Sequence, residues 1–370
     1  MTTFGIEEEF IFLDQGSLRP VDVGAKVYSR LAAMPDWAAV THREFLAAQV
    51  EHASTVFTTV SGAQDSLVGF RREVADDATR LGVVAASVGA PPDALPFPTI
   101  TDEDRYLRIV HDMAGVIADH QICGLHVHVG VSDRELGIRA LNASRSWLPL
   151  LSAMSGNSPI WRGYDTGYES WRNVEQRRWT TTGCPPIFAG AADYDRRLER
   201  LIGIGGMKDR AIIMWMSRLS AHVPTIEFRI GDAQLEAWSS VFLASFCRAL
   251  VVGLIDESLG IADRLQPSSD MAPGPEMLNA SLLHSAHSGM SEDLLDPVLG
   301  ELRPAAESLE RCIRLLEPAL EATGDLDAVQ AGAARLLREG TGAARQRAAF
   351  NRGGMPALRE LYEETFARAE

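Results

Sequence analysis

The sequence predicts an α+β fold: a mixed core over residues 1–260 and a helical extension over 261–370, together making a single domain. Two observations carry this. The first 260 residues mix strand and helix signals, whereas the last hundred read almost wholly as helices separated by Gly and Pro. Within the first part, four segments alternate apolar and polar residues with the period of a half-buried strand.

The first of these is TFGIEEEFIFLD. Phe4, Ile6, Phe10 and Phe12 make an apolar row broken by Glu8, and Glu7 and Glu9 share the opposite side. In QVEHASTVFTTV, Glu51 falls with Gln49 and Thr55, in a weaker alternation. Leu67, Phe70, Val74, Ala78 and Leu81 then recur at helical spacing between Gly62 and Gly82, one stripe for packing with Arg and Asp left to water. Thr101 with Asp104, and Ser132 with Glu135, have the spacing of capping boxes and open two further helices. They flank GLHVHVGV, where Leu125, Val127, Val129 and Val131 share one face and His126, His128 and Gly130 the other. Residues 157–188 are rich in Trp, Arg, Gly and Pro without a clear period and read as a long ordered loop, of the kind that covers active sites. In TIEFRIGD, Ile226, Phe228 and Ile230 form the apolar row and leave Glu227 and Arg229 together.

If the four strands pair in one sheet, Glu7, Glu9, Glu51, His126, His128, Glu227 and Arg229 line one surface and helices cover the apolar back. Each piece alone has an ordinary explanation. A Glu-x-Glu strand is usually a solvated face, alternating histidines cost little on a half-buried sheet, and Glu227 with Arg229 makes a structural charge pair. Recurrence favours chemistry: like charges gathered on the middle of several strands repel unless cations intervene, and hard divalent metals need such carboxylates. Oxygen donors with an occasional His favour Mg²⁺ or Mn²⁺ over zinc, and Mg²⁺ arrives with phosphates, which Arg229 is placed to grip. No Walker-type phosphate loop occurs, and GIGG at 203–206 is too short a signal to replace it. A metal-dependent hydrolase using His126 and His128 to activate water is another reading of the same residues, and a non-catalytic protein that binds nucleotide or metabolite is a third, which rests instead on residues 87–92, His284 and His287.

Composition narrows the partners. With 35 Lys and Arg against 50 Asp and Glu, a net charge of −15 argues against nucleic acid or an anionic membrane, while a nucleotide held by divalent cations remains compatible. Cys123, Cys184, Cys247 and Cys312 are widely spaced and expected to be reduced and mostly buried. No signal-peptide pattern opens the chain, and the longest apolar run, 241–255, is interrupted by Arg248, so a cytoplasmic location is expected. The apolar C-terminal third suggests a homodimer.

Taken in order, GIEEEF, QVEHAS, GLHVHVGV, NSPIWRGYDTGYESWR, TTTGCPP, PTIEFRIGD and GTGAARQR resemble the bacterial carboxylate–amine ligase family, also described as type 2 glutamate–cysteine ligases, from residue 5 to about residue 347. The resemblance implies a glutamine synthetase-like antiparallel sheet with helices on one side, and the use of ATP with Mg²⁺ or Mn²⁺. It implies a reaction in which a carboxylate, with glutamate the expected acid, forms an acyl phosphate that cysteine or another small amine converts to an amide. Glu7, Glu9, Glu51, His126 and Glu227 match the metal positions, and Arg229, acting with Glu227, matches the arginine that steadies the transferring phosphate. Arg162, Arg172 and His128 are candidates for binding a carboxylate or phosphate; for the two arginines, tethering the loop is the ordinary alternative. The chain departs from the family pattern at SVGAPP (87–92), where a GTHP-type motif is usual, and at LLHSAHSG, where His284 and His287 stand in an ordinarily Arg- and Trp-bearing stretch.

Overall fold

The computed structural model describes residues 2–369. Its centre is a seven-stranded sheet built from β1 (Phe4–Asp14), β2 (Thr41–Arg43), β3 (Gln49–Ala53), β4 (Val83–Ala86), β5 (Gly124–Gly130), β8 (Ser217–Leu219) and β9 (Thr225–Asp232); β6 (Ile160–Trp161) and β7 (Tyr164–Asp165) form a separate short hairpin. The order is β2-β3-β1-β5-β9-β8, β4 pairs with the C-terminal part of β1, and all pairings are antiparallel. The four strands read from alternation are thus neighbours, β3-β1-β5-β9.

The alternating apolar rows turn to one side and are covered by helices Val60–Leu81 and Ala237–Ile255. The stripe Leu67, Phe70, Val74 and Ala78 is buried there. Glu8, which interrupts the apolar row of β1, is fully buried and meets Arg71 of the first covering helix at 2.6 Å. That pair answers the cost of a carboxylate in a core, since Arg71 also donates to the backbone carbonyls of Gln234 and Leu235. Helix Ala237–Ile255 is long and apolar enough to cross a membrane, but nearly all of it is inside the protein, and Arg248 within it is paired with Asp325 at 3.2 Å. Helices Arg134–Ser144, Ala305–Thr323 and Leu326–Glu339 pack around it, so one apolar cluster runs from Phe4 to Leu336.

Three details differ from the sequence expectation. Helix Arg134–Ser144 is capped by Asp133, whose side chain accepts from Leu136 N, one residue later than the Ser132 box; Glu135 instead accepts from Ala191 N. Helix Asp104–Met113 opens two residues later than the Thr101 box, with Glu103 at its N-cap and no side-chain cap, and Thr101 donates to the Glu44 carbonyl. Residues 157–188 hold the β6–β7 hairpin and the helix Trp171–Gln176, too short to register as a period. All four cysteines are buried free thiols.

Candidate active site

The register stacks the polar residues in rows across the sheet. Glu9 faces Glu51, which faces His42 on the edge; Glu7 faces His126; and His128 faces Glu227, which faces Arg218. Directly opposed carboxylates such as Glu9 and Glu51 oppose folding when both are charged. Between β5 and β9 the pairing shifts from Leu125–Gly231 to Val127–Phe228, which leaves an extra residue in β9 opposite His126. Arg229 stands at this bulge, with Nη1 on the Glu227 carboxylate and 3.4 Å from His126 Nδ1.

The ligating atoms of Glu7, His126 and Glu227 all lie within 4.8 Å of one another. Glu7 meets His126 Nδ1 at 2.8 Å and His128 Nε2 at 3.1 Å, while His128 Nδ1 meets the Thr225 hydroxyl at 2.8 Å. Burial pushes the Glu7 carboxyl up, but the hydrogen bonds and charges of the two imidazoles outweigh it and hold the group well below the usual carboxylate range. Burial, reinforced by Arg229, lowers His126 to about 4, so the imidazole is neutral near pH 7. Assigning the Nδ1 proton to the Glu7 contact leaves His126 Nε2 as a free donor atom for a cation. Glu227 is 2% exposed; burial raises its carboxyl, and Arg229 and Arg218 together bring it far below normal, the latter at 2.7 and 3.0 Å.

The other half of the face behaves oppositely. Burial and then the Glu44 charge raise Glu9 to about 8, although Glu9 accepts from Gly124 N at 2.7 Å. Burial with the charges of Glu44, Glu7 and Glu9 lifts Glu51 well above its normal value, and burial lifts Glu44 as well. These carboxylates border a cavity of about 500 Å³ that also receives Arg229, Arg218, Arg105 and Tyr106. It adjoins a chamber of about 130 Å³ walled by Phe45, Tyr106, Trp179 and Met214, into which Arg172 projects. Glu7 and His128 also border a groove of about 770 Å³ at the opposite end of the strands, beside Thr3, Thr55 and Thr225.

The seven strand residues expected to share a face do share it, and Arg172 joins them. Its guanidinium is buried and donates to the carbonyls of Ile230 (3.3 Å) and Arg229 (3.2 Å). It passes over Gly124, where any Cβ would sit 2.7 Å from Nη2. Arg162 is not in the site: its side chain is about half exposed, paired with Asp119 and lying over Trp161, the tether that was the ordinary reading. Glu44 and Arg218 were missed. Glu44 follows the three-residue β2 in phase with His42, and Arg218 is the middle of the three-residue β8; neither strand is long enough to show alternation. Of the departures, SVGAPP is a buried stretch whose Ser87 carbonyl and Gly89 N bond to Asn157. His284 bonds the Asp293 carbonyl at 2.7 Å and His287 meets Tyr168 edge-on, and neither borders the carboxylate cavity.

The His126/His128 pair lies on an inner antiparallel strand between acidic neighbours, not on a strand of a parallel βα barrel, which removes the hydrolase reading. Fold, face and family together define an ATP-dependent carbon–nitrogen ligase. The chain belongs to the glutamate–cysteine ligase family 2, whose model matches residues 3–364. Among its relatives, "Putative glutamate--cysteine ligase 2-1" of Saccharopolyspora erythraea is 39% identical over 352 residues, covering 95% of this chain and 90% of that protein. A similarly named protein of Salinispora arenicola is 36% identical over 95% of this chain and 90% of its own length. Two solved structures share the fold at low identity. A glutamate–cysteine ligase of Francisella tularensis in complex with AMP has TM-score 0.65 and 12% identity, covering 98% of this chain and 88% of that one. A bifunctional glutathione synthetase of Pasteurella multocida has TM-score 0.68 and 14% identity, covering 100% of this chain and 52% of its own.

Proposed function

We propose that this ligase joins the side-chain carboxylate of glutamate to the amine of cysteine or another small amine, with ATP and Mg²⁺ or Mn²⁺. The observation that carries the reading is the two-part polar face: a low-pKa group of Glu7 and Glu227 beside His126, next to a high-pKa group of Glu9, Glu44 and Glu51. A donor set of oxygens with one imidazole suits a hard cation, and carboxylates whose ionisation is opposed by burial and mutual repulsion are the residues a second cation would relieve. In this reading Glu7, His126 and Glu227 hold one ion, and Glu9, Glu51 and Glu44 hold another. When bound, the metal neutralises phosphate charge and supplies electrophilic stabilisation at the transferring phosphoryl group.

The substrate carboxylate oxygen attacks the γ-phosphorus, the bond to the ADP oxygen breaks, and an acyl phosphate forms. The amine nitrogen then attacks the acyl carbon, the bond to the phosphate oxygen breaks, and the amine loses its extra proton to solvent. Phosphoryl transfer needs positioning and positive charge more than covalent help. Arg229 supplies the charge, held at the bulge by Glu227, and Arg218 fixes Glu227 from its other side. Arg172 takes the substrate carboxylate beside the chamber. His128, set by Glu7 and Thr225, faces the groove at the far end of the strands, and we place the phosphates and base of ATP on that side. The chamber wall, with Trp179, keeps water from the acyl phosphate. The continuous apolar cluster supports treating the whole chain as one catalytic domain.

The test is phosphate release by the purified chain with ATP and Mg²⁺ across pairs of amino acids. Release that requires both glutamate and a small amine is expected. No release across a broad panel, or release indifferent to the amine, would overturn the proposal.

A further inference from the structure

Three motifs far apart in the chain, NSPIWRGYDTGYESWR, PTIEFRIGD and GTGAARQR, meet in one buried polar network at the end of β9. At its centre is Asp232, the last residue of that strand and fully buried. Its Oδ2 accepts from Asn157 N at 2.9 Å and the Ser158 hydroxyl at 2.6 Å, and its Oδ1 accepts from the Ser170 hydroxyl at 2.7 Å. The same Oδ1 faces Arg172 Nη1 at 4.0 Å. Ser158 relays the constraint, because its Oγ also accepts from Arg172 N at 3.1 Å. Ser170 caps the short helix that carries Arg172.

The network is anchored from the C-terminal helix Gly342–Thr365. Gln346 donates to the Asn157 carbonyl (2.8 Å) and to Asn157 Oδ1 (2.6 Å), and itself accepts from the Tyr362 hydroxyl at 2.7 Å. Space is reserved for it. A Cβ at Gly89 would lie 2.4 Å from Asp232 Cγ, and one at Gly342 would lie 2.1 Å from Asn157 Oδ1. A fully buried carboxylate costs folding energy unless it is satisfied, and here its partners all belong to the segment that delivers Arg172 to the catalytic face.

We infer that Asp232 is a positioning residue: through Ser158 and Ser170 it fixes the guanidinium of Arg172 over Gly124, at the point where the proposed acid substrate binds. The C-terminal helix is its buttress. The inference rests on the substrate role given to Arg172 above.

The test uses the full chain and two readouts. Asp232→Asn keeps the shape but offers one acceptor oxygen where two are used, and Ser158→Ala removes the relay with less risk to folding. In steady-state kinetics both variants should raise KM for the acid about 10- to 100-fold with kcat within about threefold. In the second readout, the Arg172 Nε–H signal in the NMR spectrum, assigned by its loss in Arg172→Lys, should exchange with solvent slowly in the native chain and much faster in both variants. The signals of buried Arg71 and Arg248 should not change. Unchanged KM with a lowered melting temperature, or unaltered Arg172 exchange in folded Ser158→Ala, would overturn the inference. Absence of phosphate release from the native chain defeats the ligase reading instead, and the exchange readout still decides the role of Asp232.

Discussion

Binding of Mg²⁺ should expel protons from the catalytic face, and the number can be worked from its carboxylates. A pKa of about 8 leaves Glu9 about nine-tenths protonated at pH 7 in the metal-free chain, and metal coordination needs the ionised form. Loading the acidic half of the face should therefore release about one proton from Glu9 at pH 7, and Glu51 and Glu44, shifted in the same direction, can only add to it. The sign for folding is the reverse of the common carboxylate case. The native state holds these protons where the unfolded state has lost them, so each group makes the metal-free chain less stable as pH rises from its ordinary value toward its raised one. Mg²⁺ should therefore raise the melting temperature more at pH 8 than at pH 6. Titration calorimetry in two buffers of different ionisation enthalpy counts the protons directly, and Mg²⁺ affinity should climb about tenfold per pH unit for each coupled proton. Glu51→Gln should lower the count. Release below about 0.3 proton at pH 7, with affinity flat from about pH 6.5 to 8.5, would refute the assignment of the acidic half to a metal.

Glu227→Gln should abolish amine-dependent phosphate release and also lower the melting temperature, because Arg218 and Arg229 would lose the carboxylate that compensates both of them; a fully active variant removes Glu227 from the site. Arg71→Met should cost about 3–5 kcal/mol in denaturant unfolding, since it strands the buried Glu8. His52, buried and stacked on Phe70, is depressed to about 3 by burial and then Arg71, so below about pH 6.5 the unfolded chain takes up a proton that the native chain refuses. Stability should fall with acid between those two values, and His52→Phe should flatten that part of the profile; an unchanged slope in the variant refutes it.

The face was legible because β1, β5 and β9 are long enough to alternate and each places its polar residues in the middle of an apolar strand. What two-residue periodicity cannot carry is register. It could not reveal that Glu9 opposes Glu51, or that the bulge in β9 brings Arg229 to His126. Glu44 and Arg218 sit in or beside three-residue strands, where there is no pattern to detect. Arg162 and Arg172 looked alike because both lie in one motif; only the helix Trp171–Gln176 and the turn at Arg162, with its positive φ of 52°, send one inward and the other out. Nor does alternation tell whether the polar face is open or roofed: Glu227 is nearly inaccessible, so altering it costs the fold as well as the site.

The helix Ala237–Ile255 carries a consequence for biosynthesis. Its apolar surface is covered in part by residues that come much later in the chain, including Leu309, Leu316, Val329 and Leu336. At about 5–20 residues per second, a ribosome needs about 4–16 s to add the stretch from Ile255 to Leu336. Throughout that interval the nascent chain displays a segment as greasy as a membrane anchor with its native cover not yet made. A chain ending near residue 260 should consequently emerge as an aggregate or a chaperone client, even though every strand of the catalytic sheet is already present.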